Sequence, residues 1–174
     1  MLWLTDIYYA IVTFMERGGP VLPLIALLTF AMWTLIFERL WYFQIEHKDL
    51  VRRITDKWEE RPERTSWTAH QVREALVSEA SGKIRGSLPL IQTFVALAPL
   101  LGLMGTVTGM VAVFDSMANH GGDARSMAAG VSMATIPTMA GMVASLSGVF
   151  ATTVLQRRVD FESELLEDHL TLDH

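Results

Sequence analysis

Ala98-Pro-Leu-Leu-Gly-Leu-Met-Gly-Thr-Val-Thr-Gly109 sits inside a longer run, Gly86 to Phe114, that holds no Asp, Glu, Lys or Arg over 29 residues. A helix of that length reaches about 43 Å, more than the ~30 Å of bilayer hydrocarbon. Past the first two residues, its side-chain polar atoms come from Gln92, Thr93, Thr106 and Thr108. Small residues recur at Ala98, Gly102, Gly105 and Gly109, spaced four, three and four. That spacing aligns them on one stripe, where a second helix backbone can approach closely. Thr106 falls off the stripe. The run therefore reads as a membrane helix with a packing seam and a sparse polar face.

Composition agrees with this reading. Of 174 residues, 51% are hydrophobic and the mean hydropathy is positive; soluble domains hold about 45–50% apolar residues even with glycine counted. The net charge of −5 is spread through the polar segments. No basic block suited to nucleic acid is present. With no cysteine, disulfides and thiolate metal sites are excluded.

Upstream, residues 1–18 are amphipathic: Leu4, Ile7, Tyr8, Ile11, Phe14 and Met15 fall at helical spacing, opposite Thr5, Asp6, Tyr9, Thr13 and Glu16. With Trp3, Tyr8 and Tyr9, this suits a helix lying in the plane of the membrane interface. The segment lacks the early positive charge and small-residue cleavage site of a signal peptide. Gly18-Gly19-Pro20 ends it. The first span is expected over 19–45, charge-free from Val21 to Phe37 and closed by Glu38-Arg39 and Leu40-Trp41-Tyr42-Phe43. That aromatic belt and the adjacent ion pair suit a headgroup region.

Residues 46–87 are polar and expected to be helical, with a break at Arg61-Pro62-Glu63-Arg64-Thr65-Ser66 and a second helix from Trp67 to Ile84. The segment holds nine of the fourteen Lys and Arg residues, so the positive-inside rule places it in the cytoplasm. It reads either as a partner-binding domain or as a solvated hairpin keeping subunits in register. The second span is expected over 88–115, followed by an outside loop at 116–125 whose only basic residue is Arg125. Asp115 suits an ion-entry carboxylate or a solvated helix end. His47, His70, His120, His169 and His174 lack metal spacing, so no metal site is assigned.

The third span is expected over 126–156, where Ser126 to Gln156 is charge-free for 31 residues. Gly130, Ala134, Pro137, Gly141 and Gly148 form one small-residue seam. Val131, Thr135, Thr138, Met142, Ser145, Val149 and Thr152 form a second stripe, rotated by about 80°. Its hydroxyls either back-bond to their own helix or, beside Pro137, line a hydrated path. The tail, 157–174, opens with Arg157-Arg158 and continues as an acidic amphipathic helix, with Val154, Phe161, Leu165 and Leu172 on one side and Glu162, Glu164, Glu167 and Asp168 elsewhere.

The chain offers no nucleophile with a base partner, no phosphate loop and no haem or zinc spacing, so it does not read as an enzyme and implies no catalytic residue or cofactor. Gly102-Leu-Met-Gly105 is followed by no Gly-Lys-Ser/Thr. The expected fold is an all-α membrane protein. It has three transmembrane helices, an N-terminal amphipathic helix, a cytoplasmic helical segment and a C-terminal helical extension.

Ala98-Pro99-Leu-Leu-Gly102-Leu-Met-Gly105-Thr106-Val-Thr-Gly109 resembles the second-span signature of the MotA/TolQ/ExbB proton-channel family. Glu38-Arg39 is similar to that family's pair at the end of the first span, and Gly130-Val-Ser-Met-Ala-Thr-Ile-Pro-Thr138-Met-Ala-Gly141 to its third-span motif. The short length and the third-span wording are most similar to the ExbB of the second TonB system. The resemblance implies a bacterial inner-membrane homopentamer, N-terminus periplasmic and C-terminus cytoplasmic. Its pore would hold the single helices of ExbD-like subunits, and proton flow would drive a TonB-like protein. By position it marks Thr106 and Thr138 as pore-lining. Thr135, Ser145, Met133 and Met142 are expected with them, while Ala98, Gly102, Gly105, Gly109, Gly130 and Gly141 are expected at helix contacts.

One departure matters: many relatives carry glutamate where this chain has Met133. No side chain of the second or third span titrates near neutral pH, whereas membrane proton relays are usually marked by carboxylates. A carboxylate must therefore come from a partner. A TolQ-like motor subunit serving envelope integrity and a non-conducting membrane scaffold remain as alternatives.

Overall fold

The computed structural model describes residues 2–59, 67–121 and 123–169, and among these it is built of helices and short turns. The order is α1 (Leu2–Arg17), α2 (Val21–Glu59), α3 (Trp67–Arg85), α4 (Leu88–His120) and α5 (Ala124–His169). Three stretches, Val21–Gln44, Trp67–Asn119 and Ala124–Leu166, contain helix long and apolar enough to cross a membrane. The expected break at 61–66 lies outside the described residues.

Glycines set the turns. Gly19 takes φ +70° between α1 and α2, and Gly86 takes φ +40° between α3 and α4; a Cβ is disfavoured in that left-handed region. The Gly18 amide still donates to the Phe14 carbonyl at 3.1 Å, and the Gly86 amide to Gly82 at 3.0 Å, which closes the last turns of α1 and α3. Pro23 sits in the first turn of α2, where a missing amide costs nothing.

Two features refine the sequence reading. The first apolar span ends at Gln44, and α2 runs on past it to Glu59 as one helix of 39 residues. The loop expected at 116–125 is shorter, because α4 reaches His120 and α5 begins at Ala124. Both extensions are polar helix, where propensity and the absence of Gly or Pro carry the fold past the apolar run. The tail likewise continues α5 without a break to His169.

The chain divides into two compact units, Met1–Trp33 with Gln92–Val149, and Thr34–Ile91 with Phe150–His174. In the first, the buried apolar residues include Leu22, Ile25, Met32, Val95, Ala98, Val113, Ala134 and Ala144. Gly148 lets Val95 and Met32 close over α5, since a Cβ there would lie 2.5 Å from Val95 Cγ2 and 2.6 Å from Met32 Sδ. α1 leaves most of its apolar stripe open, with Leu4, Tyr8, Ile11 and Phe14 all exposed.

In the second unit, α2 buries Ile36 and Phe43, α3 buries Ala69, Ala80 and Ile84, and α5 buries Leu155, Val159 and Leu166. The tail therefore uses a different face from the one expected. Val154, Phe161 and Leu165 are exposed, and Leu172 lies outside the described residues. The two stripes are one residue, about 100°, apart. Spacing alone reveals both, and packing selects the one holding Leu155.

Candidate functional site: the α4–α5 wall

Within the first unit, α4 and α5 meet along glycine. A Cβ on Gly102 would lie 3.0 Å from Thr138 Cα, and one on Gly105 would strike the Pro137 ring, 2.8 Å from Cγ. One on Gly109 would strike the Ala134 backbone, 2.5 Å from Cα. From the other side, a Cβ on Gly130 would come 2.5 Å from Val113 Cγ2, and one on Gly141 2.5 Å from the Ala98 carbonyl oxygen. Ala98 is fully buried. Ala98, Gly102, Gly105, Gly109, Gly130 and Gly141 lie on this one line. As α4 numbering rises through 98, 102, 105, 109 and 113, its α5 partners fall through 141, 138, 137, 134 and 130. The pair is antiparallel.

That register decides which side chains share a flank. In an antiparallel pair, the residue just after each contact position turns to the same side on both helices, because one helix ascends and the other descends through the same 100° step. On α4 these residues are Leu103, Thr106 and Met110. On α5 they are Val131, Thr135, Thr138, Met142 and Val149, and Ser145 falls on the same stripe between the last two. Leu103, Met110, Val131, Thr135, Met142 and Val149 are exposed in the subunit, and Thr106, Thr138 and Ser145 are half-buried. Thr152, at the far end of the α5 stripe, is buried in the second unit.

The register also places Met133, one residue before Ala134, on the opposite flank. There its side chain packs on the turn after α1: a Cβ on Gly19 would lie 2.7 Å from Met133 Cγ. Met133 is thus separated from Thr135 and Thr138, alongside which it was expected to line a pore. Five residues separate it from Thr138, a rotation of about 140°.

The hydroxyls differ in what they do. Thr106 Oγ1 donates to its own helix at Leu103 O, 2.7 Å, and Thr135 Oγ1 to Val131 O, 2.9 Å. Thr108 likewise donates to Gly105 O at 3.0 Å. Thr138 alone of these crosses between helices: its Oγ1 lies 3.0 Å from Gly102 O as well as 3.3 Å from Ala134 O. Spacing could not have found that bond. The signal available was a glycine opposite a threonine, with no Cβ to shield the Gly102 carbonyl.

In the second unit, Glu38 is exposed while Arg39 is turned into the fold. Arg39 is 4% exposed. Its Nη2 donates to the Lys83 and Ile84 carbonyls at the end of α3, a cation set on the negative end of a helix dipole. The guanidinium also lies 4.6 Å from the Tyr42 ring centroid, and a Cβ on Gly86 would collide with it. Ser87 Oγ donates to Glu38 Oε2 at 3.1 Å. The pair fastens α2 to the α3–α4 turn. No group of metal-ligating side chains occurs among the described residues.

An all-α chain with three apolar spans defines a membrane-embedded helical protein. The chain belongs to the MotA/TolQ/ExbB proton channel family, whose model matches residues 44–168. The family comprises proton-channel subunits and is not an enzyme class, and membership supports a motor component driven by the proton-motive force. The chain is 28% identical over 184 residues to a putative biopolymer transport protein, ExbB-like 1, of Synechocystis, covering 87% of this chain and 71% of that one. It is 33% identical over 79 residues to the biopolymer transport protein ExbB of Helicobacter pylori, covering 45% of this chain and 54% of that one.

Proposed function

We propose that this chain is the stator and pore wall of an ExbB-type motor in the bacterial inner membrane, assembled as a homopentamer around ExbD-like helices and energising a TonB-like protein. The observation that carries the reading is the flank holding Thr106, Thr135, Thr138 and Ser145, which the subunit itself leaves open or half-open. No charged side chain accompanies them between Gly86 and Phe114 or between Ser126 and Gln156. A lipid-facing surface gains nothing from hydroxyls, whereas a wall facing water or a partner's carboxylate does.

Such a wall supplies shape and weak donors, and the titrating group comes from the partner. In this arrangement residues 46–87 and the tail face the cytoplasm, while α1 and the 116–125 segment face the periplasm. Met133 stands outside the wall, so a carboxylate there is not part of the proposed path. The test is proton flux in proteoliposomes holding this chain alone, its carboxylate-bearing partner alone, or both. Flux only with both, reduced by Thr135→Val and by Thr106→Val at unchanged oligomer size, is the expected result. Flux independent of this chain makes it a scaffold.

A further inference from the structure

The flank opposite the hydroxyl stripe borders an apolar groove of about 1210 Å³ between α1, α2 and α5. Its α2 wall runs from Leu22 to Trp33. That is eleven helical steps, or about 16 Å of helix, half of the ~30 Å hydrocarbon core and so the depth of one leaflet. Two of the wall hydroxyls are spent on their own helices: Thr29 Oγ1 donates to Ile25 O at 2.7 Å and Ser147 Oγ to Ala144 O at 2.8 Å. Tyr9 and Thr13 on α1 add the other hydroxyls, and the rest of the lining is mainly apolar. At one end stands Arg17, exposed, the last residue of α1 and one residue before the turn into α2.

We propose that this groove is a phospholipid site in the leaflet on the α1 side, with acyl chain lying along α2 and an anionic headgroup phosphate held by the Arg17 guanidinium. Three features point to that occupant. The groove opens within a membrane-spanning unit, where the surrounding solvent is acyl chain. Its length matches one leaflet, not a crossing helix, which would need the full thickness. Its single cation stands where a headgroup phosphate would be, and a guanidinium binds phosphate through paired donors. Arg17 also borders a second crevice of about 560 Å³, which Glu16, Ser126 and Met133 line with it, while Glu16 does not line the groove. The inference rests on the membrane placement of α2 and α5 and is independent of proton conduction.

The test places a photo-crosslinking amino acid at Ala26, an exposed residue of the groove, in the full chain with its co-purifying partners. The complex is reconstituted in vesicles of equal parts phosphatidylcholine and phosphatidylglycerol. The expected product is a lipid adduct enriched in phosphatidylglycerol by about fivefold, the worth of one cation at an anionic headgroup. Arg17→Gln should return the adduct to the bulk lipid ratio while keeping the yield. Native mass spectrometry of the chain without the crosslinker, still carrying phosphatidylglycerol after delipidation, checks that the label did not create the site. A covalent dimer of the chain, adducts in the bulk ratio before the Arg17 change, or no lipid product would each overturn the proposal.

Discussion

The Thr138 hydroxyl donates across the α4–α5 contact to the Gly102 carbonyl at 3.0 Å, while the Thr106 hydroxyl stays on its own helix at Leu103 O. The two threonines share a flank but not a structural role, and their substitutions should separate accordingly. Thr138→Val removes an interhelical bond and should lower stability in detergent by about 0.6 kcal/mol, the average for such bonds in membranes. Thr138→Ser should keep it. Thr106→Val should leave stability within error, since its backbone acceptor already has a helical partner. Thermal unfolding of the three variants checks this; equal losses for Thr106→Val and Thr138→Val would remove the distinction.

Glycine-to-alanine changes should have opposite signs at two sites. Gly109→Ala drives a methyl into the Ala134 backbone, which cannot move as a side chain can, and should cost about 1–3 kcal/mol. Gly82→Ala meets nothing within 4 Å on α3 and should stabilise by about 0.5–1 kcal/mol through backbone entropy. Denaturation curves of both variants suffice. A neutral Gly109→Ala would mean that α4 and α5 do not meet where the contact line puts them.

Arg39→Leu should loosen the end of α3. It strips two carbonyls of a charged donor, worth about 2 kcal/mol, and so raises amide exchange over the last turn of α3 about thirtyfold. Arg39→Lys should recover part of this, since an ammonium reaches the carbonyls without the planar fork. Exchange in the middle of α4 is the internal control. Unchanged exchange at residues 80–86 would show that the cap carries no weight.

Cysteines placed at Ser78 and at Ala118, both exposed, should react with impermeant reagent from opposite sides of the membrane. The warrant is the concentration of Lys and Arg in 46–87 against a single Arg125 in 116–125. Labelling of both from one side would leave the second span uncrossed.

The amino-acid sequence by itself determined the helical class, the three apolar spans and the residues that allow close helix contact. These follow from local properties: charge-free runs of bilayer length, glycine at four- and three-residue spacing, and a turn at Gly18-Gly19-Pro20. Tertiary structure decided everything that depends on which of two neighbouring stripes faces inward. Leu155, Val159 and Leu166 are buried in the tail while Val154, Phe161 and Leu165 are exposed, although both sets have helical spacing. The antiparallel register of α4 on α5 put Met133 beside Gly19, on the far side from Thr135 and Thr138. It also drew the Thr138 hydroxyl to Gly102, a residue 36 positions away. Arg39 reads in sequence as a cation at the end of a span, because the carbonyls that claim it belong to Lys83 and Ile84, more than 40 residues on. A helical period specifies the angle between residues on one helix. The rotation of that helix against its neighbours is set by packing between segments far apart in the chain.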